Sequence, residues 1–149
     1  MSKDIPLSLY KKIHDVIPIV CVDIVIVHEG AVLLGLRLNK PAQGTYWFPG
    51  GRVIKDETLH ETALRKAKEE TGLKIKIIKQ LGADETIFPD GPFGEYTHTI
   101  NVVFLANCSK DRILKLDTQH DNLKWFTKLP KDSPAYVKKF TKLARAASN

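Results

Sequence analysis

The sequence predicts an α+β domain, and three observations carry that prediction. A β-branched run from Ile17 to Val27 has the composition of a buried strand. A helical pattern with an apolar stripe occupies the middle of the chain, and a second amphipathic pattern closes it. Strands mixed with a central and a terminal helix imply a mixed sheet with helices packed on its faces. At 149 residues the chain is expected to form one domain, spanning 1–149, with a real core.

In order along the chain, Leu7 to Val16 reads as a short leading helix, and Ile17 to Val27 as the buried strand. His28-Glu29-Gly30 turns the chain into a second strand, Ala31 to Arg37. Leu38 to Tyr46, with Pro41 and Gly44, is a loop before a short Trp47-Phe48 strand. Pro49-Gly50-Gly51 then breaks the strand and lets backbone approach a ligand closely. A helix is expected from about Glu57 to Thr71, with Gly72 as its C-terminal stop. Ile75 to Phe88 is a long strand with an irregularity at Gly82, and Pro89 to Gly94 is a loop. His98 to Asn107 returns as a hairpin partner, and Leu123 to Phe126 is a further strand. In the final helix Tyr136, Val137, Phe140, Leu143 and Ala144 oppose Lys138, Lys139, Lys142 and Arg145.

Composition narrows the function classes. Hydrophobic content of 43% and charged content of 27% are those of a soluble globular protein. The N-terminus is polar, and the longest apolar run is short and interrupted by Asp23, so neither a signal peptide nor a membrane span is expected. Cys21 and Cys108 lie in apolar strands as small core residues, which suits a reducing, cytoplasmic setting. The net charge is +6, yet the lysines are scattered rather than clustered with aromatics, so an anionic small substrate is expected and nucleic acid is not.

The central helix carries the chemistry. On a helical wheel Leu59, Ala63 and Ala67 form one apolar stripe, and Glu70 falls inside it. A carboxylate on a buried-facing stripe needs a cation or hydrogen-bond donors. Glu69 sits one turn after Arg65, an i,i+4 pair. An ordinary amphipathic helix with solvated charges accounts for Glu61, Lys68 and that pair, but not for Glu70. Hard carboxylate and carbonyl oxygens suit Mg2+, or Mn2+ in its place.

Gly51, Glu57, Arg65, Ala67, Glu69, Glu70, Gly72 and Leu73 fall at spacings that resemble the Nudix box, G-x5-E-x7-R-E-U-x-E-E-x-G-U with U aliphatic. Lys66 departs from it, standing where the box has Glu. Three further segments are similar to GDP-mannose mannosyl hydrolases: Arg37 to Gly44 leading to Trp47, Gly50 to Leu59, and Leu116 to Asp121 before Trp125. The resemblance implies an α/β/α sandwich with a catalytic loop-helix-loop. It also implies hydrolysis of a nucleoside diphosphate sugar by water attack at the anomeric carbon, and a homodimer.

By the same resemblance, the Gly50 carbonyl, Glu70 and Gln119 would hold the metal, with Glu69 available for a second ion. His120 would be the general base, a role suited to a side chain titrating near neutrality. Arg37 and Arg52 would stabilise the leaving diphosphate. Asp23 and His98 are candidates to contact substrate, each with a structural competitor: a satisfied carboxylate and a plain strand position. Gly51, Glu57, Arg65 and Gly72 would be structural, Arg65 orienting the box carboxylates. His14, His28 and His60 belong to no constellation and are expected at the surface. Two alternatives remain open. One is attack at phosphorus on another nucleotide sugar or a nucleoside triphosphate, favoured by Glu69. The other is a nucleotide-sugar sensor without turnover, favoured by Lys66.

Overall fold

The computed structural model describes residues 4–108 and 122–148. Among them the order is α1 (Leu7–Val16), β1 (Ile19–His28), β2 (Ala31–Leu36), β3 (Tyr46–Trp47), β4 (Gly50–Arg52), α2 (Leu59–Thr71), β5 (Ile75–Phe88), β6 (Thr97–Cys108), β7 (Leu123–Phe126) and α3 (Ala135–Ser148). The sheet runs β3-β2-β1-β6-β5, with β4 added to β1 and β7 to β2. It is mixed, as expected: β1 runs parallel to β6, and its other pairings are antiparallel.

The β1 run reads as continuous apolar sequence because both of its faces are covered. Val22, Ile24 and Ile26 pack with Ala63 and Ala67 of α2. Val25 and Val27 point the other way, into a cluster with Val137, Phe140 and Ala144 of α3. Helix, sheet and helix form the expected three layers.

Local signals explain most boundaries. Thr58 caps α2, its hydroxyl accepting the Glu61 N–H at 3.1 Å. Gly72 ends the helix in the left-handed region at φ 72°, its N–H bonded to the Lys68 carbonyl at 2.9 Å. The helix therefore starts two residues later than expected, and Glu57 lies outside it. The β5–β6 ladder breaks at Gly82 as expected, with a second shift between Ile77 and Lys79. Strand β4 was not expected, since Gly50-Gly51 reads as a break. It forms because Gly50 pairs with Asp23 and Gly51 with Val22, and at Gly50 the approach to β1 is close enough that only glycine fits. No helix among the described residues is long and apolar enough to cross a membrane.

Candidate active site

Where α3 leaves the sheet uncovered, a cleft of about 350 Å³ opens beside the glycine strand. Asp23, Arg37, Gly50, Arg52 and Glu70 all line it, so five candidate residues drawn from three elements and a loop converge. Gly50 is the junction. A side chain there would run into Asp23 and the Val22 carbonyl, and one on Gly51 would run into the Lys66 stem.

Glu70 comes to this point from the last turn of α2, and its carboxylate accepts the Gly50 N–H at 3.0 Å. The stripe is buried at Ala63 and Ala67, but Glu70 leaves it: 39% of the side chain stays open to solvent. Burial of the carboxyl in the cleft nevertheless raises its pKa, against the Gly50 hydrogen bond and the nearby Lys66 charge. One amide donor does not saturate a carboxylate. Its free oxygen valences beside the Gly50 peptide form a hard-oxygen donor set of the kind that fits Mg2+. Mg2+ is usually held by few protein groups plus substrate oxygens, and Glu70 beside the Gly50 peptide fits that pattern.

Glu69 is engaged differently. Its carboxylate takes Arg65 Nη1 at 3.2 Å and Lys66 Nζ at 3.2 Å. Burial would raise its pKa, but the Lys66 and Arg65 hydrogen bonds outweigh that and lower it. Lys66 Nζ also stands 4.0 Å from Glu70. The out-of-character lysine therefore places an ammonium between the two adjacent box carboxylates. Glu69, expected as a ligand for a second ion, thus has one carboxylate oxygen facing Arg65 and the other facing Lys66.

Arg65 binds Glu57 with both arms, Nε to Oε2 at 2.7 Å and Nη2 to Oε1 at 2.9 Å. Its Nη2 also donates to the Arg52 carbonyl at 3.0 Å. Thr62 adds a hydroxyl to Glu57 at 2.7 Å. The Arg65 fork, first among several hydrogen bonds, holds the Glu57 carboxyl down at about 2. Helix α2, its preceding loop and β4 are clamped by this one guanidinium.

Asp23 is 6% exposed and takes the Tyr136 hydroxyl at 2.7 Å, with a further hydrogen bond from Trp47. The two aromatic rings stack, with centroids 5.1 Å apart. Burial pushes the Asp23 carboxyl up to about 6, partly offset by those two donors. It is thus a satisfied core carboxylate and a cleft wall at once. Arg37 donates from Nε to the Pro41 carbonyl at 2.7 Å, which folds the following loop over the cleft. The Arg52 guanidinium lies 5.6 Å above the Tyr10 ring.

His98 is not brought to this site. Strand parity explains why: Thr97, Thr99 and Asn101 face the cleft, so His98 faces away. It bonds Glu85 at 2.8 Å and borders a separate surface hollow. Gln119 and His120 lie outside the described residues. Two further expectations change. His14 is a cleft residue, packed edge-on against Tyr10 at 4.4 Å and Phe93 at 5.4 Å, and burial lowers its pKa. His60 is exposed, as expected, with its ring edge-on to Phe104 at 5.1 Å. Cys21 lines the cleft instead of filling the core, and both cysteines are free. Cys21 and Asn101 were missed, although each shares Asp23's signal, a polar side chain within an apolar strand on the same parity.

A domain of this fold, with a glycine strand, an Arg-clamped helix and a cleft carboxylate, is a Nudix domain. The family model described as NUDIX domain matches residues 18–129, and the chain belongs to the Nudix hydrolase family. It is 38% identical over 126 residues to the low-salt glycan biosynthesis protein Agl8 of Haloferax volcanii, covering 83% of this chain and 80% of that one. An ADP-ribose pyrophosphatase of Methanocaldococcus jannaschii is 40% identical over 91 residues, 60% of this chain and 51% of that one. Among solved structures, a MutT Nudix hydrolase from Burkholderia pseudomallei superposes with a TM-score of 0.67 at 25% identity, covering 85% and 98% of the two chains. The Nudix domain of Shewanella oneidensis NrtR, complexed with ADP ribose, has a TM-score of 0.64 at 22% identity, covers 97% of this chain and 100% of its own, and shows the fold alone.

Proposed function

We propose that this chain hydrolyses a nucleoside diphosphate sugar, GDP-mannose in the first instance, by water attack at the anomeric carbon with release of GDP. The observation that carries the proposal is the state of the box carboxylates. Attack at phosphorus in this family draws on several of them to hold metal and activate water. Here Glu57 is committed to Arg65, and Glu69 to Arg65 and Lys66, which leaves Glu70 facing the cleft. A single carboxylate beside the Gly50 peptide suits one ion on the diphosphate.

Glu70 and the Gly50 carbonyl would hold that ion, with Gln119 as a third ligand, and its chemistry would be Lewis-acid neutralisation of the leaving diphosphate. The chain's own groups do the rest. Arg37 and Arg52 present planar donors to phosphate oxygens at the cleft wall. Lys66 adds positive charge next to Glu70, favouring a departing anion over a second metal. His120, in the segment that resembles the mannosyl hydrolases, would take the proton from the attacking water, which the metal need not activate. The likeness to a protein named for glycan biosynthesis supports a glycosyl substrate.

Attack at phosphorus is the second reading, favoured by retention of Glu69 and by the match to an ADP-ribose pyrophosphatase. Phosphorus-31 NMR of GDP-mannose incubated with enzyme and Mg2+ shows which linkage is cleaved. GDP is expected, from cleavage between mannose and the β-phosphate, with the attacked atom then read from solvent 18O, and GMP with mannose 1-phosphate would favour the second.

A further inference from the structure

We infer that Asn101 selects the nucleobase, its side-chain amide donating to a carbonyl oxygen of the base. Asn101 is 4% exposed, on the cleft face of β6. Its Oδ1 accepts the Thr99 hydroxyl at 3.0 Å, and Thr99 is bonded in turn to Thr86. The amide nitrogen has no partner among the described residues. Burying an NH2 group without an acceptor is costly, and folded proteins rarely leave one so. A bound ligand is the natural source of the acceptor.

Position says which part of the ligand. Asn101 pairs with Cys21, two residues along β1 from Asp23, which pairs with Gly50. Two strand residues span about 7 Å, so Asn101 stands one step from the charged end where Gly50, Glu70 and Arg37 gather. Arg52 shares this rung through its pairing with Cys21, its guanidinium over the Tyr10 ring, and the rest of the wall around Asn101 is uncharged and partly aromatic, with Thr86, Thr99, Tyr10 and Phe88. A sugar ring needs donors and acceptors together, whereas Asn101 offers a donor whose own carbonyl is already engaged. That matches a keto oxygen. Guanine presents one where adenine presents an amino group, so the same amide favours one base and opposes the other.

This inference rests on the proposed ligand class, not on turnover, and nucleotide binding separates the two. Isothermal titration with GDP, IDP and ADP in the presence of Mg2+ is expected to show GDP and IDP bound at least ~10-fold more tightly than ADP. Asn101→Val should weaken GDP and IDP by about that factor and leave ADP unchanged, and Asn101→Asp should narrow or invert the preference. Equal binding of GDP and ADP by the unaltered protein would overturn the inference without any variant. So would an Asn101→Val protein with unchanged GDP affinity but weakened GDP-mannose binding, which would assign Asn101 to the sugar. A keto-base preference in a protein that does not hydrolyse GDP-mannose would support the inference and contradict the proposed reaction.

Discussion

Replacing Arg65 by Met should remove the clamp that joins α2, the residues before it and β4. The guanidinium contacts Glu57, Glu69 and the Arg52 carbonyl, and its side chain is 19% exposed. The Glu57 carboxyl sits at about 2 in the folded protein, against an ordinary 4.5, chiefly through Arg65. At about 1.4 kcal/mol per pKa unit the gross coupling is roughly 3 kcal/mol. Solvent lies close to this pair, so about 1–2 kcal/mol is the net expectation. The sign follows from the depressed pKa: the stabilisation is present above pH ~4.5 and is lost as pH falls through the folded value near 2. Arg65→Met should therefore unfold about 2–8 °C lower at pH 7, given the usual 2–4 °C per kcal/mol for a domain of this size. Its stability should also vary less between pH 4.5 and 2. Arg65→Lys, which keeps charge but not the fork, should recover less than half of the loss. Thermal unfolding at pH 7 reads the first quantity, and urea unfolding from pH 4.5 to 2 reads the second. A Met variant with unchanged midpoint and unchanged acid limb would refute the clamp.

Glu70→Gln keeps size and removes charge; Mn2+ affinity read by electron paramagnetic resonance should fall ~10²-fold, and turnover with it, and full activity in excess EDTA would contradict this. Asp23→Asn tests the buried carboxyl. Because its folded pKa is raised to about 6, the wild-type protein should lose stability as pH rises from ~4 to ~6 and stay level above. The Asn variant should show no such fall and be up to ~3 kcal/mol more stable at pH 7, checked by urea midpoints against pH. His120→Gln should lower turnover ~10²–10⁴-fold with little change in substrate affinity and should abolish the rise in rate with pH near neutrality; wild-type kinetics in that variant would remove His120 from the mechanism.

Much of the fold was legible because local rules and tertiary packing agree. The period-3.6 stripe at Ala63 and Ala67, the Gly72 stop and the β-branched β1 run all meet their partners where the pattern points them. Strand β4 was not legible: two glycines carry no pattern, and only their pairing with Val22 and Asp23 makes them a strand. The same holds within the site. Glu70 stood out because it broke a stripe, but its exit into the cleft depends on the Gly50 amide, twenty residues earlier. The company Lys66 keeps, between Glu69 and Glu70, follows from helical spacing of three and four and was open to the sequence reader. Parity along β6 would have excluded His98 and raised Asn101, had the strand's inward face been known.

The identity of the bond that breaks decides the account most directly. GDP and mannose arise from attack at the anomeric carbon and equally from attack at the β-phosphorus, so products alone do not separate them. Hydrolysis of GDP-mannose in 18O-enriched water with Mg2+, followed by mass spectrometry of both products, does. Attack at carbon predicts the label on mannose and unlabelled GDP. Label on a phosphate would contradict the account and return Glu69 to the metal site.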